Sequence, residues 1–394
     1  MAQVLHTGDT HIGYQQYHSP ERRRDFLRAF ERVIDDAVDL GVDAVVHAGD
    51  LFQDRRPDLT DLQVVLGALR RLRAADIPFL AVVGNHEDKR DQQWLDLLAD
   101  LGYAERLGEQ PRVVGNLALY GLDYIPPSVR GDLDYEFAST DAEYTALVAH
   151  GLFEPFDAGD WDPREILEAT SIEFDAMLLG DNHTPGKRRV EGTWLTYPGS
   201  TERASASERA ERGYNLVRTD GELQISRRTI PTRPFEFVDV TLEADEGAEV
   251  VRRRVREHDL EDAVVIVTIE GEGTTITPGP IEELAREEGA LIARVNDRRE
   301  FEETASEQTV TFADPDAAVR NRVEQLGLSP VAREIDQTVR DETVADSNVR
   351  EVIRARIDAH LEDGLDGLQV APTDEQETDT TPASSGQASM EEFL

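Results

Sequence analysis

Short apolar runs recur along the first 230 or so positions. Between them lie stretches whose apolar residues repeat every three or four positions. Val4-Leu5-His6-Thr7 predicts a strand that stops at Gly8-Asp9. Phe26, Leu27, Phe30, Val33, Ile34, Ala37 and Val38 predict a helix over 24–40. A buried-type strand over 44–48 ends at Gly49-Asp50, a helix follows over 62–74, and a strand over 79–83 ends at Gly84-Asn85-His86. Further strands are expected at 117–120, at 146–149 before His150, and at 176–179 before Gly180-Asp181. A hairpin over 218–228 has turn chemistry at Asp220-Gly221. Strand–helix alternation of this kind predicts an α/β fold with a mostly parallel sheet covered by helices.

A second unit starts after Pro231-Thr232-Arg233-Pro234. Strands over 235–242, 263–269 and 291–295 alternate with helices over 249–258 and 280–288. From about 314 the pattern turns helical. Ser329-Pro330 forms an N-cap and first-turn pair, and Val331, Ile335 and Val339 follow at steps of four. Val349, Val352, Ile353, Ile357 and Leu361 make a second narrow stripe. Such stripes need cover, either from their own domain or from a partner. Positions 371–386 have the polar composition of a disordered linker. The expected divisions are therefore 1–228, 229–300, 301–368 and 369–394.

Composition narrows the chemistry. The chain has no cysteine, so a metal must be held by His, Asp, Glu or Asn. No apolar run approaches the roughly 20 residues of a membrane span, and the N-terminus lacks the basic segment of a signal peptide. A soluble intracellular protein is expected. Eighty-one acidic residues against 41 basic ones give a net charge of −40. Charge this far from zero fits a salt-adapted cytoplasm. At about 1 M salt the screening length is only about 3 Å, so acidity does not exclude a nucleic-acid substrate. Binding would then rest on short-range contacts.

Five strand ends carry metal-competent side chains. They are Asp9 and His11, Asp50, Asn85 with His86, His150, and Asp181 with His183. Open α/β sheets build sites at the carboxyl ends of their strands, so all five can converge. Two divalent ions about 3.5–4 Å apart can clamp the attacking and leaving oxygens of a phosphoryl displacement, and need a shared carboxylate with N/O ligands on either side. This ligand mixture suits two Mn2+ ions, with Mg2+ or Fe as alternatives. His6, His18 and His47 are expected to be core histidines; His258 and His360 sit on polar helices and are expected to be solvated.

The series Asp9-x-His11, Gly49-Asp50, Gly84-Asn85-His86-Glu87 and a late histidine resembles the calcineurin-like metallophosphoesterase superfamily. Gly8-Asp9-Thr10-His11-Ile12-Gly13, Gly49-Asp50-Leu51-Phe52 with Arg56-Pro57, and Tyr197-Pro198-Gly199-Ser200-Thr201-Glu202-Arg203 are similar to the Mre-eleven-type nuclease family. The resemblance covers about residues 1 to 365. It implies a metallophosphoesterase sandwich (1–228), a small α+β capping domain (229–300) and C-terminal helices (301–368). By resemblance, Asp9, His11, Asp50 and His183 hold one ion; Asp50, Asn85, His150 and Asp181 hold the other, with Asp50 bridging. His86 takes the place of the family's catalytic proton donor. The implied activity is a Mn2+-dependent DNA exonuclease and endonuclease at double-strand breaks, cytoplasmic and nucleoid-associated. An SMC-like Rad-fifty-type ATPase is the implied partner, with Val349, Ile353 and Ile357 as candidate contacts, and a homodimer is expected.

Two positions depart from the family. It usually has Gly-His-x-His where this chain has Gly180-Asp181-Asn182-His183. Either Asp181 or Asn182 could be the ligand, and the i,i+2 spacing with His183 favours Asp181. Many relatives have His where Gln53 stands. Both changes leave room for a catalytically weakened scaffold bridging ATPase, DNA and clamp. A small-molecule phosphodiesterase of the same superfamily is a further alternative, disfavoured by the cap and the C-terminal helices. The chain ends with Gln387, Met390, Phe393 and Leu394 in a pattern that resembles the docking motif for the sliding clamp PCNA. One helical turn would project the last three into an apolar pocket.

Overall fold

The computed structural model describes residues 1–89, 92–133, 135–299 and 354. The expected C-terminal helices and tail lie outside the described residues, and with them Val349, Ile353, Ile357, Gln387, Met390, Phe393 and Leu394.

The chain opens with β1 (Gln3–Thr7), α1 (Pro20–Leu40), β2 (Ala44–Ala48), α2 (Leu59–Ala74), β3 (Phe79–Val82), α3 (Trp94–Asp100) and β4 (Glu105–Arg106). Then come β5 (Arg112–Val114), β6 (Leu117–Leu122), β7 (Tyr144–His150), α4 (Pro163–Ala169), β8 (Ala176–Gly180), β9 (Gly186–Val190) and β10 (Thr193–Tyr197). A hairpin of β11 (Gly213–Asp220) and β12 (Glu222–Thr229) turns at Gly221, as its Asp-Gly pair predicts. The remaining unit is β13 (Phe235–Leu242), α5 (Ala248–Val255), β14 (Val264–Gly271), α6 (Pro278–Glu287) and β15 (Ile292–Asp297). Helix α1 illustrates the local logic. The Ser19 hydroxyl accepts from the Arg22 amide, Pro20 opens the first turn, and Gly41 at φ 56° closes the helix in the left-handed conformation.

The first 229 residues form two six-stranded sheets, the sandwich that the resemblance implies rather than the single sheet of the strand–helix rhythm alone. One runs β12-β11-β1-β2-β3-β4, with β1 to β4 parallel; the other runs β5-β6-β7-β8-β10-β9, with β6, β7, β8 and β10 parallel. They stack face to face. Val4, Ala44, Val46, Ala48, Leu80 and Val82 of the first sheet share a core with Leu117, Leu119, Ala146, Val148, Ala176 and Leu178 of the second. The alternate residues Leu5, Val45, Phe79 and Ala81 pack under α1 and α2. On the far side, Tyr120, Leu147, Met177, Leu179 and Leu195 pack against Phe153, Trp161 and Ile166. Central strands are thus apolar on both faces, so their runs carry no period to reveal which face meets which layer.

The third sheet, β13-β14-β15, is all parallel and has its own core around Val240, Val267, Ile269, Val251 and Ile281. Arg233 joins it to α1. Its guanidinium donates to both oxygens of buried Asp25, at 2.6 and 3.0 Å, and to the carbonyl of Asp262 at 2.7 Å. Beside it, buried Arg22 lies 5.0 Å from the Phe235 ring centre and 2.8 Å from Asp25.

Of the histidines outside the strand ends, His6 and His47 are buried and His258 is exposed, as expected. His18 differs from expectation. It is exposed at φ 56°, closing a 3-10 turn at Gln16–His18. The loop after β1 buries Ile12 and Gln16 but turns outward at His18.

Candidate metal centre

Three of the five ligand-bearing ends, those of β1, β2 and β3, belong to the first sheet, and those of β7 and β8 to the second. The side chains therefore meet at the seam between the sheets. Asp9, His11 and His183 bring potential ligand atoms within 4.8 Å of one another; so do Asp9, Asp50 and His150, and so do His11, Asp50 and His86. Asp9 and Asp50 each belong to two of these groups.

The backbone fixes this convergence. Asp9 (φ 50°), His11 (φ 42°), Asp50 (φ 57°) and Asp181 (φ 92°) all adopt positive φ. Each such residue costs on the order of 1–3 kcal/mol and persists only where its surroundings over-determine it. Here the loops after β1 and β2 are laced together. The amides of Asp9, Thr10 and His11 donate to the carbonyls of Gly49, Asp50 and Asp50, at 3.0, 3.0 and 3.1 Å. The Asp181 amide donates to Asp9 Oδ1 at 2.9 Å, tying the second sheet to the first. Gly84 lets the β3 end approach, since a Cβ there would stand 2.1 Å from Asp50 Oδ1.

Hydrogen bonds then set the ring nitrogens. His150 Nδ1 is 2.7 Å from the Ala48 carbonyl, which can only accept, so Nδ1 is the donor. Burial pushes this ring's pKa down to about 3, so it is neutral and Nε2 carries a lone pair. That lone pair faces Asn85 Oδ1 at 3.0 Å, Asp50 Oδ1 at 3.6 Å and Asp181 Oδ1 at 4.0 Å. Acceptors facing acceptors in a buried site are the donor chemistry of a cation site. Burial also raises the Asp9 carboxyl well above its usual range, with Asp50 and Asp181 adding repulsion against the opposing pull of His183. His11 Nδ1 is buried with no hydrogen-bond partner, and His11 Nε2 lies 2.9 Å from His183 Nε2. The residues present fit divalent cations.

His183 is anchored from behind. Its Nδ1 lies 2.8 Å from Glu208 Oε1. The other Glu208 oxygen accepts from Arg212 (2.8 Å), the Ser200 hydroxyl (3.1 Å) and the Ala204 amide (3.1 Å). Burial alone would lower the His183 pKa, but the Glu208 charge and hydrogen bond outweigh it and the net shift is upward. Sequence reasoning missed Glu208 and Arg212. They lie in a polar stretch with no periodicity, and nothing in the sequence marks them.

His86 is half-buried at the mouth of the site. Its amide donates to Asp50 Oδ1 at 3.0 Å, and its ring centre is 4.9 Å from that of His11. Its Nδ1 is 3.0 Å from the backbone carbonyl of Gln53, and so donates. The side chain of Asn182 is turned elsewhere: its oxygen accepts from the Thr184 amide at 3.0 Å.

Residues 2–187 match the calcineurin-like phosphoesterase family. The chain is 59% identical over 381 residues to the DNA double-strand break repair protein Mre11 of Haloferax volcanii, covering 96% of this chain and 86% of that one. It is 56% identical to the protein of that name from Halobacterium salinarum, over 93% of this chain and 96% of that one. For the Methanosarcina acetivorans protein the identity is 44%, over 92% of this chain and 60% of that longer one. With identities this high over most of its length, and the metal-competent strand ends gathered at one seam, the chain belongs to the Mre11 family of DNA double-strand break repair proteins, within the calcineurin-like metallophosphoesterases.

Proposed function

We propose that this protein is a Mn2+-dependent DNA exonuclease and endonuclease that processes double-strand-break ends. The observation that supports it most is the buried set of acceptors around His150, Asp50 and Asp9, which calls for cations at the meeting point of two sheets. Asp9, His11, Asp50 and His183 would hold one ion, and Asp50, Asn85, His150 and Asp181 the other. The outward turn of Asn182 supports Asp181 in that set. When bound, the ion pair supplies Lewis acidity at the phosphate and lowers the pKa of attacking water. The protein's own groups do the rest. Backbone lacing holds the carboxylates in place, Glu208 orients His183, and the Gln53 carbonyl aims His86. His86 Nε2 would give its proton to the departing 3′ or 5′ oxygen. The shorter residue-53 contact is the main-chain carbonyl at 3.0 Å, with the Gln53 side-chain nitrogen at 3.4 Å, so the aim of the ring would rest mainly on the backbone.

The residues 229–300 are read as a cap that guides DNA, tied to the nuclease domain through Arg233. The C-terminal helices, with Val349, Ile353 and Ile357, would dock on an SMC-like Rad-fifty-type ATPase; a peptide covering 329–362 should bind it. Gln387, Met390, Phe393 and Leu394 would engage the sliding clamp PCNA, and calorimetry of the 380–394 peptide with Phe393→Ala as control tests that. A homodimer is the expected assembly. No helix among the described residues is long and apolar enough to cross a membrane, in keeping with a cytoplasmic, nucleoid-associated enzyme.

The deciding assay compares DNA ends with bis-p-nitrophenyl phosphate, in concentrated KCl with Mn2+. The parent should cut both, and Asp50→Ala and His86→Ser should each abolish DNA cutting. Parent-like cutting by both variants would overturn the site assignment. Hydrolysis of the small ester alone would favour a small-molecule phosphodiesterase.

A further inference from the structure

The sequence holds only two lysines, Lys89 and Lys187, and each sits over a tryptophan. Lys89 lies 3.8 Å from the Trp94 ring centre and Lys187 lies 4.9 Å from that of Trp194. Lys187 begins the run Lys187-Arg188-Arg189 on β9, the edge strand of the second sheet. All three are exposed, and none has a carboxylate ion-pair partner among the described residues. Two other basic runs are wholly or mostly neutralised, although Arg253 and the pairs Arg55-Arg56 and Arg227-Arg228 have no carboxylate ion pair among the described residues. Arg22, Arg23 and Arg24 pair with Asp25, Asp61 and Glu21; Arg252 and Arg254 pair with Glu249 and Glu257.

The heads are held in place. Arg189 lies 5.2 Å from the Trp194 ring centre and its Nε donates to the Gly192 carbonyl at 2.9 Å; Lys187 Nζ donates to the Ile225 carbonyl at 3.1 Å. Arg188 lies on the other face, 5.6 Å from the Phe156 ring centre. Cations stacked on rings lose less rotamer freedom when they take a ligand.

The strand's place is equally specific. Strand β10 is parallel to β8, whose end leads to Asp181, and β9 runs antiparallel to β10. So β9 starts at the metal-centre end, with Lys187 four residues after His183, and leads away from it. At about 3.3 Å per residue the run offers a track of roughly 7 Å. As an edge strand, it also has main-chain groups that no neighbouring strand pairs.

We infer that the β9 edge is a phosphate-binding track for the backbone of a DNA strand engaged at the metal centre, with Lys187, Arg188 and Arg189 as the contacts. The inference rests on the nuclease reading above. In concentrated salt the interaction must be direct, which is what ordered, unpaired heads provide.

The test is the full-length triple variant Lys187→Gln/Arg188→Gln/Arg189→Gln. Anisotropy of a labelled oligonucleotide, without metal, reads binding separately from cutting. Affinity should fall about tenfold or more, and the slope of log affinity against log salt should drop by about 2, near 0.7–0.9 per lost phosphate contact. The charge-keeping variant Arg188→Lys/Arg189→Lys should retain at least half the affinity. Retained bis-p-nitrophenyl phosphate hydrolysis shows that the centre is intact. Unchanged affinity and salt slope would overturn the inference, leaving the run as protection of a sheet edge. Equal loss in the charge-keeping variant, or loss of small-ester hydrolysis in the triple variant, would also overturn it. If the parent binds the oligonucleotide through these residues but never cuts it, the nuclease reading fails while the track stands.

Discussion

His183 and Glu208 form a buried imidazole–carboxylate pair, Nδ1 to Oε1 at 2.8 Å, whose far oxygen is held by Arg212, Ser200 and a main-chain amide. The pair fixes the His183 tautomer with Nε2 toward Asp9 and His11. Glu208→Gln should weaken Mn2+ binding about 10- to 100-fold, the usual cost of losing such a partner. Titration calorimetry would show the rise in Kd, and excess Mn2+ should restore cutting. Unaltered affinity would mean that Glu208 serves only the fold.

A second expectation concerns Gly84. An added methyl group would stand 2.1 Å from Asp50 Oδ1 and 2.2 Å from the Asp50 amide nitrogen, so loop or carboxylate must move. Displacement on the order of 1 Å can cost about 100-fold in rate. Gly84→Ala should lose about that much small-ester hydrolysis. Gly67→Ala is the control: it lies inside α2 with open space around it, and should gain about 0.5–1 kcal/mol in denaturant unfolding with activity intact.

Gln53 gives an expectation of the opposite kind. The His86 ring is held by the residue-53 carbonyl at 3.0 Å, whereas the Gln53 side-chain nitrogen is 3.4 Å away. Gln53→Ala should therefore keep kcat within about threefold. Loss as large as that of His86→Ser would show that the side chain acts in the reaction.

The pH dependence of stability follows from two buried histidines that are not among the proposed ligands. Burial pushes His6 and His47 down to about 3, from ordinary values near 6.5. Between those values the unfolded chain binds protons that the folded one refuses, so stability rises with pH across that window and falls as acid is added. Metal-free protein at constant high salt should lose unfolding free energy progressively below about pH 6.5. NMR should find both rings neutral at pH 5.5; a ring titrating near 6.5 would contradict the burial argument.

Much of this was legible in the sequence. The strand over 44–48 and that over 235–242 fall where apolar runs place them, and four of the five metal-competent strand ends are punctuated by glycine–aspartate or glycine–asparagine pairs, the fifth by His150-Gly151. Three things were hidden in the residue pattern for physical reasons. Doubling of the sheet leaves no trace in Val45-Val46 or Leu147-Val148, because a strand covered on both faces is apolar throughout. The support behind His183 is invisible because Glu208 and Arg212 look like surface charge until the chain folds over them. The left-handed backbone at His11 was likewise unreadable, since histidine does not advertise φ 42°.

The ligand-bearing ends come from both halves of the sandwich, three from one sheet and two from the other. Ions seated among them would act as rivets across an edge where the two layers meet. Catalytic competence and the cohesion of the nuclease domain would then share a single dependency: a supply of divalent metal would govern how long the enzyme survives as well as how fast it works.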